Sequence, residues 1–541
     1  MVLFAPSGEL GMQPIDLPEE ENKPKAKERK NANLRPHCGM DQIPVMPTVE
    51  QRPISTDMRL NDATRKLQPT REKQGAWLRT VFFGALEAAL LCCVALFNGY
   101  PVVTPDSGWY LRSGAFQVAI YPFRAPGYGA FTRWTSLGTS AWFTTVVQAI
   151  VVVYILRETF VYLIGGDRKY VDRCLLFGVS VLAALTSLPW VTSQIMPDVF
   201  AGVLFLSAFL LAFASEFRTG QRIVLALLLM ISVAAHSSFF PIATLFVAAM
   251  VLLKLGRRIY GLRPRWSPVV WVLVPIIAAG LWTSNQNQRM GLGFRLAASQ
   301  NRFLLATLFS NGMAMDFLRA NCPEHPFISC RYLSNPPRDS QDFLWGHPLV
   351  HELEGHEDEM EAILHGAIIA YPRRFVVSGV HAALLQLVTL RTGEAMQLDF
   401  RADYDLLSDI FAVLPRDLSA FKLARQFNER LFKLTEAVAP VHTAVFWLSV
   451  AGCLLFAWTG RFTRINQFFI AAIAFLIFNA AVCGAASEVF NRYQSRVAWI
   501  MPLCLIAYVC SLLKERNSGT IFTHLLAPFR GGLAGRVTPE A

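Results

Sequence analysis

The sequence predicts an all-α polytopic membrane protein of about 10–12 transmembrane helices with a mixed, mainly helical outer domain. Three observations carry that prediction. Hydrophobic residues make up 53% of the 541 and charged residues only 16%, against about 25% charged in an average soluble chain. The apolar residues fall into runs near the ~20 needed to cross a ~30 Å hydrocarbon core. The short connectors between those runs alternate between basic and non-basic, as charge sorting across a membrane requires.

Residues 1–76 are polar and proline-rich, with Glu19-Glu20-Glu21 followed by Lys23, Lys25, Lys27, Arg29 and Lys30. No apolar stretch follows those charges, so the segment is not a secretory signal peptide. It reads as a disordered cytosolic tail. The net charge of +11 does not point to nucleic acid, because the basic residues sit in short loops and this tail rather than on one face interleaved with aromatics.

Residues 77–284 form the expected N-terminal bundle, with spans over Leu78–Phe97, Ser140–Ile164, Cys174–Pro189, Val199–Phe213, Ile223–Ala235, Phe239–Leu255 and Pro268–Ser284. Residues 440–513 supply three more, Val441–Trp458, Phe468–Ala485 and Val497–Leu513, and 514–541 form a second cytosolic tail. With the N-terminus inside, the cytosolic connectors run over Asp167–Arg173, Arg218–Arg222, Lys254–Arg265, Arg461–Arg464 and Lys514–Arg516. All are basic, as the positive-inside rule asks. The outward connectors Trp190–Asp198 and His236-Ser237-Ser238 hold no Lys or Arg. The last outward connector, Ser487–Arg496, breaks the pattern with Arg492 and Arg496.

Residues 285–439 form one long outward segment, enough for a small domain. Within it Phe375–Leu390 is apolar but short, and reads as an interfacial or re-entrant helix. Cys322 and Cys330 lie here and bracket Pro323-Glu324-His325-Pro326. An oxidising outer compartment favours a structural disulfide between them over a free pair. His347, His351, His356 and His365 lie among six acidic residues, but no two histidines stand four apart with a glutamate after the first, so the helical zinc motif fails.

Reactive groups concentrate in the first outward loop. Thr104-Pro105-Asp106-Ser107-Gly108-Trp109-Tyr110 is followed by Tyr121-Pro122-Phe123-Arg124-Ala125-Pro126-Gly127-Tyr128. A carboxylate beside aromatics at a membrane surface suits a general base or a metal ligand. The same Pro105-Asp106 pair also suits a simple helix start. Arg124 offers a planar fork for phosphate. Asp198 follows Pro197, where it suits an N-cap.

Asp106, the Arg124-Ala125-Pro126-Gly127-Tyr128 stretch, Met196-Pro197-Asp198 and His236, in this order, resemble the membrane-embedded GT-C glycosyltransferases of bacterial type. That superfamily includes aminoarabinose and protein mannosyl transferases. The resemblance spans about residues 78–255 and the large late outer domain. It implies a GT-C fold and an inverting enzyme of the cytoplasmic membrane, working on the outer face. The enzyme takes a sugar from a polyprenyl-phosphate carrier to a glycan, lipid or protein acceptor. Asp106 matches the acidic residue of the first outer loop and would act as catalytic base. Many members carry an Asp-Glu pair where this chain has Asp106-Ser107, which weakens a metal role more than a base role. Asp198 matches a second acidic site group, and with Asp106 it would share a divalent cation, the one cofactor implied. Arg124, Tyr128, Asp198, His236, Arg492 and Arg496 would bind substrate, the two late arginines meeting the carrier's phosphate rather than serving as snorkelling anchors. Two rival functions stand beside this one: a transporter or flippase, kept open by Glu87 within the first span, and a noncatalytic subunit of a polysaccharide assembly machine.

Overall fold

A span without water partners must satisfy its backbone internally, which leaves the helix as the unit of this fold. The computed structural model describes residues 78–120, 123–260, 262–394, 396 and 404–517. Both expected tails, apart from 514–517, and Tyr121 and Pro122 lie outside them. Among the described residues every regular element is helical, and an isolated parallel bridge joins Val102 to Gln194.

Six helices are long and apolar enough to cross a membrane: Ala141–Ile164, Phe239–Ile259, Ser267–Arg289, Arg430–Trp458, Thr463–Ala486 and Asn491–Arg516. The chain is a multi-pass membrane protein. Val199–Phe213 and Thr219–Ala235 are shorter apolar helices. Val199–Phe213 is buried on all sides from Val199 to Leu211, which makes it the central post of the bundle. Its Phe205 ring meets Phe468 and Phe475 at 5.4 and 4.9 Å between centroids.

The two ends of the bundle differ in chemistry. At one end Lys514 donates to Ile164 O (2.9 Å), Arg464 pairs with Glu216 (3.0 Å), and Arg461 pairs with Glu515 (2.9 Å). The basic connectors at 167–173, 218–222, 461–464 and 514–516 therefore share one face. At the other end, called here the Asp106 end, two short helices lie between the first helix and Ala141–Ile164. They are Pro105–Phe116 and Pro126–Ser136, each opened by proline, whose fixed φ suits a first turn. They cross at Gly114, where a Cβ would stand 2.0 Å from the Gly129 carbonyl oxygen. Only glycine permits that approach.

Residues far along the chain close this end. Asp417 accepts from Ala141 N (2.8 Å), Ser140 Oγ (3.0 Å) and Tyr100 OH (3.0 Å), capping a span from another segment. Gln426 takes both backbone groups of Val103, accepting from its N (3.1 Å) and donating to its O (2.6 Å).

Within 300–371 a second core forms around Leu305, Phe309, Met313, Phe343, Leu349 and Ile363. Cys322 and Cys330 are joined there as a disulfide, with Cα atoms 5.8 Å apart. Glu359 holds the turn beside it, accepting from Ile328 N (2.8 Å) and Ser329 N (2.9 Å). The following helix, Pro372–Val388, has both ends at the Asp106 end: Arg374 pairs with Asp316 (2.7 Å), and Gln386 bonds Phe490 through both backbone groups (2.9 and 2.7 Å). Between those ends it packs on Thr463–Ala486, where a Cβ on Gly484 would stand 2.6 Å from Ala382 O. Its Val376, Val380, Leu384 and Val388 form an exposed apolar row at i+4 spacing.

Several boundaries differ from the sequence expectation: Arg168–Leu185 and Thr463–Ala486 start earlier, and the last span is helical from Asn491. Arg430–Trp458 runs through Pro440, and Ser267–Arg289 runs past Ser284. Proline inside a membrane helix is tolerated because neighbouring groups satisfy the freed carbonyl, so Pro440 does not mark the start of a span.

Candidate functional site

Asp106 stands in the first turn of Pro105–Phe116, but the turn is capped without it. Ser107 Oγ accepts from Thr104 N (2.9 Å) and donates to Ile195 O (2.9 Å). The Asp106 carboxylate is left to face elsewhere. Arg124 reaches it from the next helix start, Nη2 to Oδ1 at 2.7 Å. That approach is fixed by Gly127, whose absent Cβ would lie 2.1 Å from Ala234 O, so the turn abuts the end of Thr219–Ala235 beside His236.

The last span supplies the opposite wall. Its helical start at Asn491 puts Arg492 and Arg496 one turn apart on the same face. Arg492 bridges the two acids, Nη1 to Asp106 Oδ2 at 3.2 Å and Nε to Asp198 Oδ2 at 2.9 Å. Arg496 lies deeper and fully buried; it pairs with Asp198 Oδ1 at 3.1 Å and donates to Asn479 Oδ1 at 3.0 Å. Asp198 makes no side-chain cap on its own helix. Its carboxylate serves the arginines instead.

These groups border a cavity of about 310 Å³ whose walls come from Phe239–Ile259, Ser267–Arg289, Thr463–Ala486, Pro105–Phe116 and the stretch Phe123-Arg124-Ala125. Asp106, Arg124, His236 and Arg492 line it, with Tyr110, Cys483 and Tyr493. Three guanidinium groups against two carboxylates leave the cluster with a formal charge of +1. Buried Arg124 Nε has no hydrogen-bond partner, a donor with capacity left for an anion. On the cavity's far side Arg124 also lies over the Trp109 ring at 4.8 Å, and Trp109 stacks on Trp345 of the second core at 5.8 Å.

The field of this cluster shows in its titrating groups. Burial alone would raise the Asp106 carboxyl, but Arg124 and Arg492 outweigh it and hold it below the usual carboxylate range. Burial, then the charges of Arg496, Arg492 and Arg124, push the His236 imidazole well below its ordinary value. His236 is therefore neutral at pH 7. Its Nδ1 accepts from Ser238 N at 3.2 Å, which places the remaining proton on Nε2.

Not every expected residue lies at the cavity. Tyr128 is fully buried behind it and donates to Gln148 Oε1 at 2.7 Å; its role here is packing, because its hydroxyl is committed to the core. Asp198 and Arg496 do not line the cavity; Asp198 touches its wall through Arg492 (2.9 Å), and Arg496 through Ser238 Oγ (3.3 Å) and Cys483 Sγ (3.2 Å). The divalent-cation expectation does not fit this donor set. Each of the four carboxylate oxygens of Asp106 and Asp198 already accepts a guanidinium N–H. Among the described residues no three His, Cys, Asp or Glu side chains converge on one point.

Glu394 and Asn479 were missed in the sequence. Glu394 accepts from Arg492 N (2.9 Å) and Asn491 Nδ2 (3.2 Å), holding the helix start. It offers no local motif. Asn479 did leave a signal, a lone amide in an apolar span, and it donates to Tyr493 O (2.7 Å) and Gln494 Oε1 (2.9 Å). No family model, curated protein or solved structure matches this chain.

Proposed function

We propose that this cavity is where a sugar leaves a polyprenyl-phosphate carrier for an acceptor hydroxyl, as the resemblance to GT-C glycosyltransferases implies. The observation that carries the reading is the convergence of Asp106, Arg124 and Arg492 on one apolar-walled cavity with a net positive cluster behind it. An ester phosphate meets a matching charge there, and the lipid that bears it meets apolar helix walls.

In that reaction the acceptor oxygen loses its proton to Asp106 and attacks the anomeric carbon. The bond from that carbon to the phosphate oxygen breaks on the opposite side, and the electron pair leaves with the lipid phosphate. Arg124 and Arg492 hold the leaving oxygen. Each Asp106 oxygen spends one lone pair on a guanidinium and keeps another for the acceptor. A phosphate beside the arginines offsets their field and strengthens the base. The clustered basic connectors opposite the cavity support an orientation with the Asp106 face outside the cytoplasmic membrane, by the positive-inside rule.

Purified protein in proteoliposomes containing polyprenyl-phosphate sugars tests this reading. Asp106→Asn is expected to abolish transfer while the protein still elutes as a folded species; undiminished transfer removes Asp106 as base. One observation favours a transporter instead: Glu87 is buried near the Arg157–Asp172 pair with Oε1 unpartnered. Solute flux lost in Glu87→Gln, with no sugar transfer in the wild type, is the result that reading requires.

A further inference from the structure

Two aspartates on separate helices facing one point are what a bridging divalent cation needs, and here a guanidinium occupies that point. Arg492 reaches Asp106 through Nη1 (3.2 Å) and Asp198 through Nε (2.9 Å). The outer oxygens face guanidinium groups as well, Asp106 Oδ1 that of Arg124 (2.7 Å) and Asp198 Oδ1 that of Arg496 (3.1 Å), so an added cation would be repelled by all three arginines. A divalent ion added to this cluster would raise its formal charge from +1 to +3. Asp198 and Arg496 are wholly buried, so that excess would stand in a low-dielectric site without solvent to offset it.

The bridging arginine is also held as a metal would be. Glu394 accepts from its main-chain N at 2.9 Å, and Gln386 fixes Phe490 two residues earlier. Its guanidinium is planar and charged at every working pH. It has an edge for each carboxylate and lines the cavity. We propose that Arg492 stands in for a divalent cation, tying Asp106 to Asp198 and presenting positive charge to the donor's phosphate, so that transfer proceeds without metal.

This inference rests on the reading of the cavity as a phosphate-ester site, and the test separates the two. The full chain in lipid nanodiscs is titrated with Mn²⁺ and read by electron paramagnetic resonance. Wild type is expected to bind no Mn²⁺ that Asp106→Asn removes. Arg492→Ala is expected to gain one Mn²⁺ site, lost again in the Arg492→Ala/Asp106→Asn double variant. A wild-type Mn²⁺ site that depends on Asp106 overturns the proposal, as does a folded Arg492→Ala variant that gains none. A second measurement needs no variant: binding of undecaprenyl phosphate by wild type is followed in EDTA and in Mn²⁺. Equal affinity supports the proposal; a loss of about tenfold or more in EDTA, restored by Mn²⁺, overturns it. Inorganic phosphate as a parallel ligand shows whether the lipid or the phosphate alone is recognised. Absence of sugar transfer in the proteoliposome assay, run in EDTA and in Mn²⁺, would defeat the enzyme reading, while the Mn²⁺ titration would still judge this one.

Discussion

At the scale of single residues, the cluster behind the cavity is a set of mutual dependencies. Removing one partner of a buried pair strands the other, at about 3–5 kcal/mol. Asp198→Ala leaves Arg496 fully buried without its carboxylate, so its melting temperature in detergent should fall steeply. Arg338→Ala, on the exposed Arg338–Asp342 pair, should leave it nearly unchanged; equal effects would show that the buried pair carries no special weight. The pH response has a definite sign. His236 in the folded state takes a proton only well below its ordinary value, so below about pH 6.5 the unfolded chain binds a proton that the folded chain does not. Stability therefore falls as pH falls through that range. Asp106, also lowered, adds a second loss below about pH 3.9. Thermal melts at pH 7.5 and 5.5 should show a drop that His236→Gln reduces, and an undiminished drop would exclude His236 as the source.

At the scale of elements, close approach does what hydrogen bonds do elsewhere. The crossing of Pro105–Phe116 and Pro126–Ser136 at Gly114 and Gly129 sets how near Asp106 stands to Arg124. Gly114→Val forces its side chain into a backbone carbonyl and should cost about 1–3 kcal/mol or more, with loss of transfer. Gly84→Ala, where nothing lies within 4 Å, should be tolerated, and transfer at the wild-type rate in Gly114→Val would dismiss the crossing as a determinant. Element positions were legible in the sequence where an apolar run was long, as in Ala141–Ile164 and Phe239–Ile259. Their ends were not. Pro440 reads locally as a breaker, yet a helix continues through it because packing and the apolar surroundings decide the matter.

At the scale of the molecule, one end of the bundle gathers the basic connectors and the other gathers the cavity, the second core and the helix Pro372–Val388. That polarity makes a topological prediction. In intact cells Ser237→Cys, at an exposed position beside the cavity, should label with a membrane-impermeant maleimide. Arg263→Cys, exposed in a basic connector, should label only after permeabilisation. The reverse pattern would turn the site to the cytosol and end the proposed donor chemistry. The free native cysteines of the described residues are mostly buried, which keeps the background low.

The sequence by itself determined the class of the molecule. Apolar run length and the sorting of Lys and Arg are local, additive signals, and they gave a helical membrane bundle and drew notice to Arg492 and Arg496 as basic residues out of place. It also singled out Asp106, Arg124, Asp198 and His236, but left Asp106 and Asp198 between a helix cap and a site group. Only the tertiary structure decided between them, because a cap and an ion-pair partner differ in what faces the side chain from a segment some 300 residues away, as Arg492 faces Asp198. The same holds for Tyr128, whose hydroxyl Gln148 claims, and for the two aspartates, whose four carboxylate oxygens each accept from a guanidinium.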